Sequence, residues 1–264
     1  MRKKILVTGG SGFKGVKLIK KLIEQGYSVI NIDKNIFGNY FIKNKYNKNY
    51  KLDVNDIQKI NLKNVYACIH LASIANDPMV DLNPSLSWDT SVLGSKILMD
   101  HLIKHNVKKI IYASSGSVYG IKKEKKVTEN LSLKPLSTYN KVKMTTERVI
   151  LSYKEKIDII ILRPATVCGY SLRQRFDLVV NILTNLALNN KPITVFGGTQ
   201  LRPNIHIKDM LDIYLLGLSK ESSLINGKIF NAGYDNQKVI ELANIVRENV
   251  GKKTEIIQTE TNDN

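Results

Sequence analysis

The chain has 264 residues, of which 43% are hydrophobic, and its 40 Lys and Arg against 23 Asp and Glu give a formal net charge of +17. This length and composition predict a globular protein with a substantial core, and the sequence has no apolar run long enough to span a bilayer. The lysines are scattered apart from a cluster at 122–126, and no nucleic-acid-binding signature or metal-ligand spacing accompanies them, so neither nucleic acid nor a metal is predicted as a partner.

Cellular location is predicted from the cysteines and from the N-terminus. Cys68 and Cys168 both lie in apolar segments, which predicts buried free thiols in a reducing compartment. The opening MRKK resembles the basic start of a signal peptide, but the apolar run after it is too short for one. We therefore expect a cytoplasmic protein with no membrane partner.

The first elements of the chain predict a strand, a tight glycine turn and a helix. An apolar run predicts a strand over 3–8, and three glycines then follow with the spacing GxxGxxG. An amphipathic stretch predicts a helix over 12–25 that ends at Gly26. A turn of this kind brings backbone N–H groups and the positive end of a helix dipole to a pyrophosphate.

A second strand is predicted over 28–33 and ends at Asp33, eighteen residues after Gly15. An acidic side chain at this position accepts hydrogen bonds from an adenosine ribose and repels a 2′-phosphate. The pattern therefore favours NAD over NADP. The competing interpretation is that Asp33 only caps a loop and does not contact a cofactor.

Strands and helices continue to alternate further along the chain. Strands are predicted over 48–52, 66–72, 107–115 and 157–163, and helices near 85–105 and over 138–155. Such alternation predicts a mainly parallel sheet covered on both faces. The later elements, which indicate a smaller lobe, are a helix near 176–190, a strand over 193–196, a glycine turn at 197–198 and a helix near 207–219.

Two further segments carry candidate catalytic residues. The strand that ends in ASSGSVYG leaves Ser115 and Ser117 at the carboxyl edge of the sheet, where ligands of doubly wound folds bind. Tyr139 and Lys143 begin a helix and share one face of it, because they are four residues apart. A nearby ammonium and the positive nicotinamide ring of NAD⁺ are expected to lower the pKa of the phenol and make it a base. Such a pair also arises by chance in a lysine-rich helix, so its meaning depends on the segments around it.

Together these segments resemble the extended short-chain dehydrogenases/reductases, and among them the NAD-dependent nucleotide-sugar epimerases and dehydratases. The matching segments lie between residue 5 and about residue 233 and read TGGSGFKG, NID, LDVND, HLAS, ASSGSVYG, YNKVK, LRPATVCG and GGTQLRPNIHIKD. The fold class expected is α/β, with a Rossmann-like doubly wound parallel sheet and a smaller C-terminal substrate-binding lobe. The expected NAD-binding domain covers 1–164 with a return segment near 205–235, and the substrate lobe covers 165–204 and 236–264.

The resemblance also implies roles for individual residues. Those implied to bind the cofactor NAD are Gly9, Gly12, Phe13, Gly15, Asp33, Asp53, Val54, Leu71, Ala72, Ser73, Tyr139, Lys143 and Pro164. Those implied to be catalytic are Ser115, Tyr139 and Lys143. Those implied to bind a nucleotide-diphosphate sugar are Ser115, Ser117, Thr166, Asn181, Gln200 and Arg202. His206 and Asp209 are expected to buttress a turn and cap a helix.

Departures from the family pattern narrow the expected reaction. The 4,6-dehydratases resemble one another in an Asp-Glu pair directly after the catalytic Ser or Thr, where this chain has Gly116 and Ser117. Neither residue can act as a carboxylic acid or base, which favours epimerisation through a transient keto-sugar over dehydration. Two competing hypotheses are a keto-sugar reductase and a catalytically silent NAD-binding or scaffold protein.

Further expectations follow from the resemblance. Lys14 replaces an apolar residue of the glycine loop and is expected to be exposed, and Ser91 replaces an asparagine that family members often carry. Family members are usually longer, so an incomplete sugar-nucleotide pocket is expected. The helices near 85–105 and over 139–153 resemble those of the family's dimer interface, which implies a homodimer. A place in polysaccharide biosynthesis is implied by the family alone.

Overall fold

The computed structural model describes residues 2–250 and 254–260, and this part of the chain alternates strands and helices. Its strands are β1 Lys4–Thr8, β2 Ser28–Asp33, β3 Asn47–Lys51, β4 Val65–His70, β5 Lys109–Ala113, β6 Asp158–Pro164, β7 Thr166–Cys168, β8 Ile193–Phe196, β9 Leu201–His206, β10 Lys228–Ala232, β11 Asp235–Lys238 and β12 Ile256–Thr259. Its α-helices are α1 Phe13–Glu24, α2 Asp77–Leu82, α3 Pro84–Trp88, α4 Gly94–Lys104, α5 Thr138–Leu151, α6 Val179–Leu188, α7 Ile207–Ser219, α8 Ser222–Ile225 and α9 Val239–Val250.

Seven parallel strands form the central sheet, in the order β10-β6-β5-β4-β1-β2-β3. The order reverses beside β1, which places the glycine turn at the point where doubly wound sheets bind their ligands. Side chains of α1 and α7 pack on one face, and those of α4 and α5 pack on the other. The Rossmann-like α/β fold is therefore confirmed. Strands β5 and β6 read as continuous apolar runs because helices cover both of their faces.

The predicted helix near 85–105 is present in the structure, where it runs without interruption from Pro84 to Lys104 but contains one irregular turn. Pro84 begins the short α3, Asp89–Leu93 form a π-helical turn, and α4 begins only at Gly94. A Cβ atom at Gly94 would lie 2.6 Å from a methyl carbon of Val54, so the helix packs closely on the segment after β3. The extra residue in the π-helical turn accommodates this approach. No helix in the described ranges is long and apolar enough to cross a membrane.

The second lobe is built from a three-stranded sheet, β11-β9-β7, and the pair β12-β8. It has its own hydrophobic core between α6, β8 and α9, formed by Leu183, Ala187, Ile193, Val195, Val239, Leu242, Ala243 and Val246. Strand β9 and helix α9 were not predicted from the sequence. The predicted boundaries of the lobes stay a prediction, and the segment 236–264 includes residues 251–253 and 261–264, which lie outside the described part.

The two thiols differ in burial. Cys68 is buried in the centre of the sheet, as predicted. Cys168 is only half-buried, which corrects the expectation that both are buried, because it ends the short strand β7 outside the central sheet. Both cysteines are free thiols.

Candidate functional site

A cleft runs along the carboxyl edge of the central sheet, between the glycine turn and the ends of β2 and β4. The predicted cofactor residues that line it are Gly9, Gly12, Phe13, Gly15, Asp33, Asp53, Val54, Leu71, Ala72 and Ser73. Tyr139, Lys143 and Pro164 are not among the described residues of its lining; they lie on α5 and at the end of β6. The structure thus brings ten of the thirteen predicted cofactor residues to one cleft.

The glycine turn allows close approach of backbone segments. Gly9 has a φ of +73°, and a Cβ atom there would lie 2.7 Å from the backbone nitrogen of Ala72. A Cβ atom at Gly15 would lie 2.5 Å from the carbonyl oxygen of Gly9. The hydrogen-bond ladder of α1 begins with the N–H of Val16, which donates to Gly12 at 3.1 Å. The N–H groups of the first turn of α1 therefore have no acceptor within the helix, which suits an anionic ligand.

Two aspartates mark the end of the cleft away from α5. The Asp33 carboxylate accepts hydrogen bonds from the backbone N–H groups of Ser11 at 2.9 Å and Asn35 at 2.7 Å. Burial raises the pKa of Asp33, and these donors oppose that shift. Asp53 is partly buried, which alone would raise its pKa, but an ion pair with Lys34 at 2.8 Å lowers it below the ordinary value. Asp33 thus ties β2 to the glycine turn while it lines the cleft.

The predicted catalytic residues lie together beside the cleft. Ser115 begins a 3₁₀ turn, and its Oγ lies 2.8 Å from the Oγ of Ser117. The Nζ of Lys143 donates to the carbonyl oxygen of Ala113 at 2.9 Å and lies 5.9 Å from the centre of the Tyr139 ring. Burial raises the pKa of Tyr139, and the nearby hydroxyl of Ser115 opposes that shift. The serine, tyrosine and lysine therefore form one cluster, as the motif order predicts.

The pKa of Tyr139 differs from the expectation, because the structure raises it rather than lowers it. The reason is that Tyr139 is itself buried, and Lys143, which was expected to lower its pKa, is buried as well. Burial, aided by the nearby charge of Lys14 and opposed by Glu147, lowers the pKa of Lys143 to about 7. A lysine with this pKa is only partly charged at neutral pH, so it stabilises a phenolate less than an ordinary ammonium does.

A buried ion pair between Arg163 and Glu147 lies next to the cluster of Ser115, Tyr139 and Lys143. Arg163 at the end of β6 donates to both carboxylate oxygens of Glu147 on α5, at 3.0 and 2.7 Å, and to the hydroxyl of Tyr119 at 2.8 Å. Ser114 donates to the same carboxylate. Both charged side chains are buried, so loss of either partner would leave an uncompensated charge. This pair fixes α5 against the ends of β5 and β6.

The predicted substrate residues do not all lie in one place, unlike the predicted catalytic residues. Ser117 adjoins Ser115, and Thr166 begins β7. Arg202 lies exposed on β9, within the second lobe. His206 caps α7 by accepting from the N–H of Lys208 at 3.3 Å, in agreement with its expected structural role.

Asn181 and Gln200 use their amide groups to hold loops in the second lobe. Asn181 accepts from the N–H of Gly169 and donates to the carbonyl of Arg175, both at 2.9 Å. Gln200 accepts from Gly198 at 2.6 Å and donates to a backbone carbonyl at 2.7 Å. A role for these two residues in substrate binding stays a prediction.

Sequence reasoning missed a charged segment, 173–177, that also lines the cleft. The guanidinium carbon of Arg173 lies 4.1 Å from the centre of the Phe37 ring, beside Asp33. Asp177 accepts from the side-chain amide of Asn76 at 2.7 Å. The segment therefore contacts both sides of the cleft. The run of charges in RQRFD is the only local signal that indicates it.

Lys14 was expected to be exposed, and the structure corrects this expectation. It is half-buried and lines the cleft, because the first turn of α1 faces the ends of the strands. Burial and the charge of Arg175 lower the pKa of Lys14 to about 8.

Comparisons with known proteins agree with the geometry. A sequence model described as the NAD dependent epimerase/dehydratase family matches residues 5–233. A Methanocaldococcus jannaschii protein, provisionally named a UDP-glucose 4-epimerase, is 33% identical over 96% of this chain and 84% of its own length. The UDP-glucose 4-epimerase of Thermotoga maritima, solved with UDP-glucose, is 29% identical with a TM-score of 0.87 over 98% of this chain and 86% of that one. MoeE5, solved with UDP-glucuronic acid and NAD, is 25% identical with a TM-score of 0.85 over 98% of this chain and 85% of MoeE5.

Proposed function

The chain belongs to the NAD-dependent epimerase/dehydratase family, and on this premise we propose that it epimerises a nucleotide-diphosphate sugar through a transient keto-sugar. NAD is the cofactor of the family. The residues present fit it, because the tight turn at Gly9 and Gly15 leaves the first N–H groups of α1 without acceptors in the helix, and Asp33 lines the same cleft.

The observation that carries the proposal is the position of Tyr139. It stands in one cluster with Ser115 and Lys143, beside the cleft that fits the cofactor. Gly116 and Ser117 follow the catalytic serine where a dehydratase would need carboxyl groups. An active site with a phenol, and with no carboxyl group at the two positions after Ser115, is suited to moving a hydroxyl proton and a hydride, which is what epimerisation requires.

In the proposed mechanism, Tyr139 takes the proton of a sugar hydroxyl as the carbon–oxygen double bond forms. The hydroxyl of Ser115 donates to the same oxygen and holds it against the phenol. Lys143 orients the phenol and contributes positive charge in its protonated form. NAD, when bound, supplies the acceptor for the carbon-bound hydride and returns it. The keto-sugar turns over before the return, and Tyr139 gives the proton back to the new alcohol oxygen.

The names of the relatives support a UDP-hexose substrate and inversion at C4. The M. jannaschii and T. maritima proteins are both named UDP-glucose 4-epimerases. A cytoplasmic location, a homodimer and a place in polysaccharide biosynthesis are proposed with the activity and rest on the family resemblance.

Incubation with a panel of UDP- and dTDP-hexoses, followed by proton NMR, tests the proposal. We expect one substrate to give a mixture of two epimers, with no net change in absorbance at the NADH wavelength. Loss of water to a deoxy-keto product would indicate a dehydratase. Stoichiometric consumption of reduced cofactor would indicate a reductase, and either result would replace the epimerase proposal.

A further inference from the structure

Lys14 is a cation in the cofactor cleft that the mechanism above does not use. It is the second residue of α1, directly after the glycine turn that lines the cleft. Its side chain is half-buried and lines the same space as Gly12 and Gly15. A lysine at this position carries its charge to the end of the helix that is already positive, where the helix dipole opposes it.

The carboxylates of the cleft are all engaged elsewhere. Asp33 accepts two backbone hydrogen bonds, one from Ser11 in the glycine turn and one from Asn35 in the loop after β2. Asp53 pairs with Lys34 at 2.8 Å, and Asp177 pairs with Arg175. Within the described part of the chain, no carboxylate lies in ion-pair distance of Lys14.

The other groups that face Lys14 are cationic or neutral. Its Nζ lies 5.9 Å from the centre of the buried Tyr214 ring on α7. Arg175, from the segment after β7, and Lys143, on α5, are close enough for their charges to interact with it. Burial and Arg175 lower the pKa of Lys14 to about 8, as expected for a cation that lacks a counter-charge.

We propose that Lys14 is an anion-binding residue of the cleft, and that its partner is the diphosphate of the bound dinucleotide. A diphosphate at the N-terminus of α1 supplies the negative charge that the protein itself does not supply. It also shields Lys143 from the charge of Lys14, so cofactor binding favours the ammonium form of Lys143 beside Tyr139. Through Lys14, binding of the cofactor thus changes the charge of Lys143 in the catalytic cluster.

Isothermal titration calorimetry of nucleotide-free protein with ADP-ribose tests the proposal without any need for catalytic activity. We expect Lys14→Met to bind ADP-ribose about tenfold more weakly, as for loss of one charge-assisted contact. Lys14→Arg should keep the affinity. Lys20→Met is the matched control, because it removes the same charge from an exposed position on the same helix. Adenosine, which has no diphosphate, should bind wild type and Lys14→Met equally.

Proton uptake gives a second readout. Titrations at pH 8 in buffers of different ionisation enthalpy should show that wild type takes up protons on binding ADP-ribose, because the diphosphate raises a pKa of about 8. Lys14→Met should take up fewer. Unchanged ADP-ribose affinity in Lys14→Met, or an equal loss in Lys20→Met, would overturn the proposal. Circular dichroism confirms that each variant is folded, and Lys14→Gln replaces Lys14→Met if the latter is not.

Discussion

At the residue scale, the proposed reaction depends on a phenol that burial keeps protonated. Burial raises the pKa of Tyr139, and its neighbour Lys143 is itself partly neutral at pH 7. In the proposed mechanism the fold therefore fixes the position of the base, whereas the charge near it determines its pKa. Substitution of Tyr139 tests the role of the base, and substitution of Lys143 tests the effect of the nearby charge.

Replacement of Tyr139 by Phe removes only the phenolic oxygen. We expect kcat to fall by about 10³-fold or more, because no other described side chain of the cluster replaces the base. The affinity for NAD should change little, since Tyr139 does not line the described part of the cofactor cleft. Tyr234→Phe, at a side chain that is 87% exposed, is the control. A Tyr139→Phe variant with full activity would contradict its role as the base, and a wild type with no activity on any sugar nucleotide would favour the hypothesis of a silent scaffold protein.

The depressed pKa of Lys143 makes the stability of the cofactor-free protein depend on pH. Its pKa is about 7 in the folded chain and 10.5 for an exposed lysine. Between these values the unfolded chain binds more protons, so the free energy of unfolding rises with pH, by about 2 kcal/mol between pH 7 and 9 from this group. Urea unfolding at both pH values measures the effect. Lys143→Met should lose this rise, whereas Lys141→Met, exposed on the same helix, should keep it. The same rise in Lys143→Met would contradict the assignment.

At the scale of elements, the unit formed by β1, the glycine turn and α1 is held by contacts that leave no room for a side chain. A Cβ atom at Gly15 would lie 2.5 Å from both the carbonyl oxygen of Gly9 and the Cα of Gly10. Because these are backbone atoms, the strain cannot be relieved by a change of rotamer. The turn must open instead, and the cofactor cleft with it.

We therefore expect Gly15→Ala to lower the free energy of unfolding by about 2–3 kcal/mol and to abolish measurable NAD binding. Gly233→Ala is a suitable control, since its Cβ would meet its nearest neighbour at 3.5 Å. Thermal unfolding with and without NAD measures both effects. Wild-type stabilisation by NAD in the Gly15→Ala variant would show that the turn does not carry the pyrophosphate site.

The sequence predicts what depends on short-range patterns. Alternation of apolar strands with amphipathic helices, and glycines at fixed spacing, indicate the sheet and the cleft before any contact is known. The π-helical turn before α4 and the burial of Lys14 were not predicted, because both are set by packing between distant segments. The contact of Asn76 with Asp177 joins residues 101 positions apart. No local pattern indicates such a pair.

At the scale of the whole molecule, the expected homodimer remains to be tested. The outer side of the segment around α4 exposes Leu93 at 49% and Trp88 at 37%, which is consistent with burial in a helical interface. We expect light scattering to give the mass of a dimer, and Leu93→Glu to shift it toward the monomer. Leu224→Glu, 61% exposed on α8, should have no such effect. A monomeric wild type at micromolar concentration would contradict the dimer.

The central sheet carries both the cofactor cleft and the cluster around Tyr139, where we propose that the sugar binds. If the reaction passes through a keto-sugar, the hydrogen on the inverted carbon leaves as hydride and returns within the same site. The most direct test is a UDP-hexose that carries deuterium on that carbon, with the epimer analysed by NMR and mass spectrometry. We predict that the epimer retains the deuterium in ordinary water. Replacement of the deuterium by solvent hydrogen would contradict the proposed mechanism.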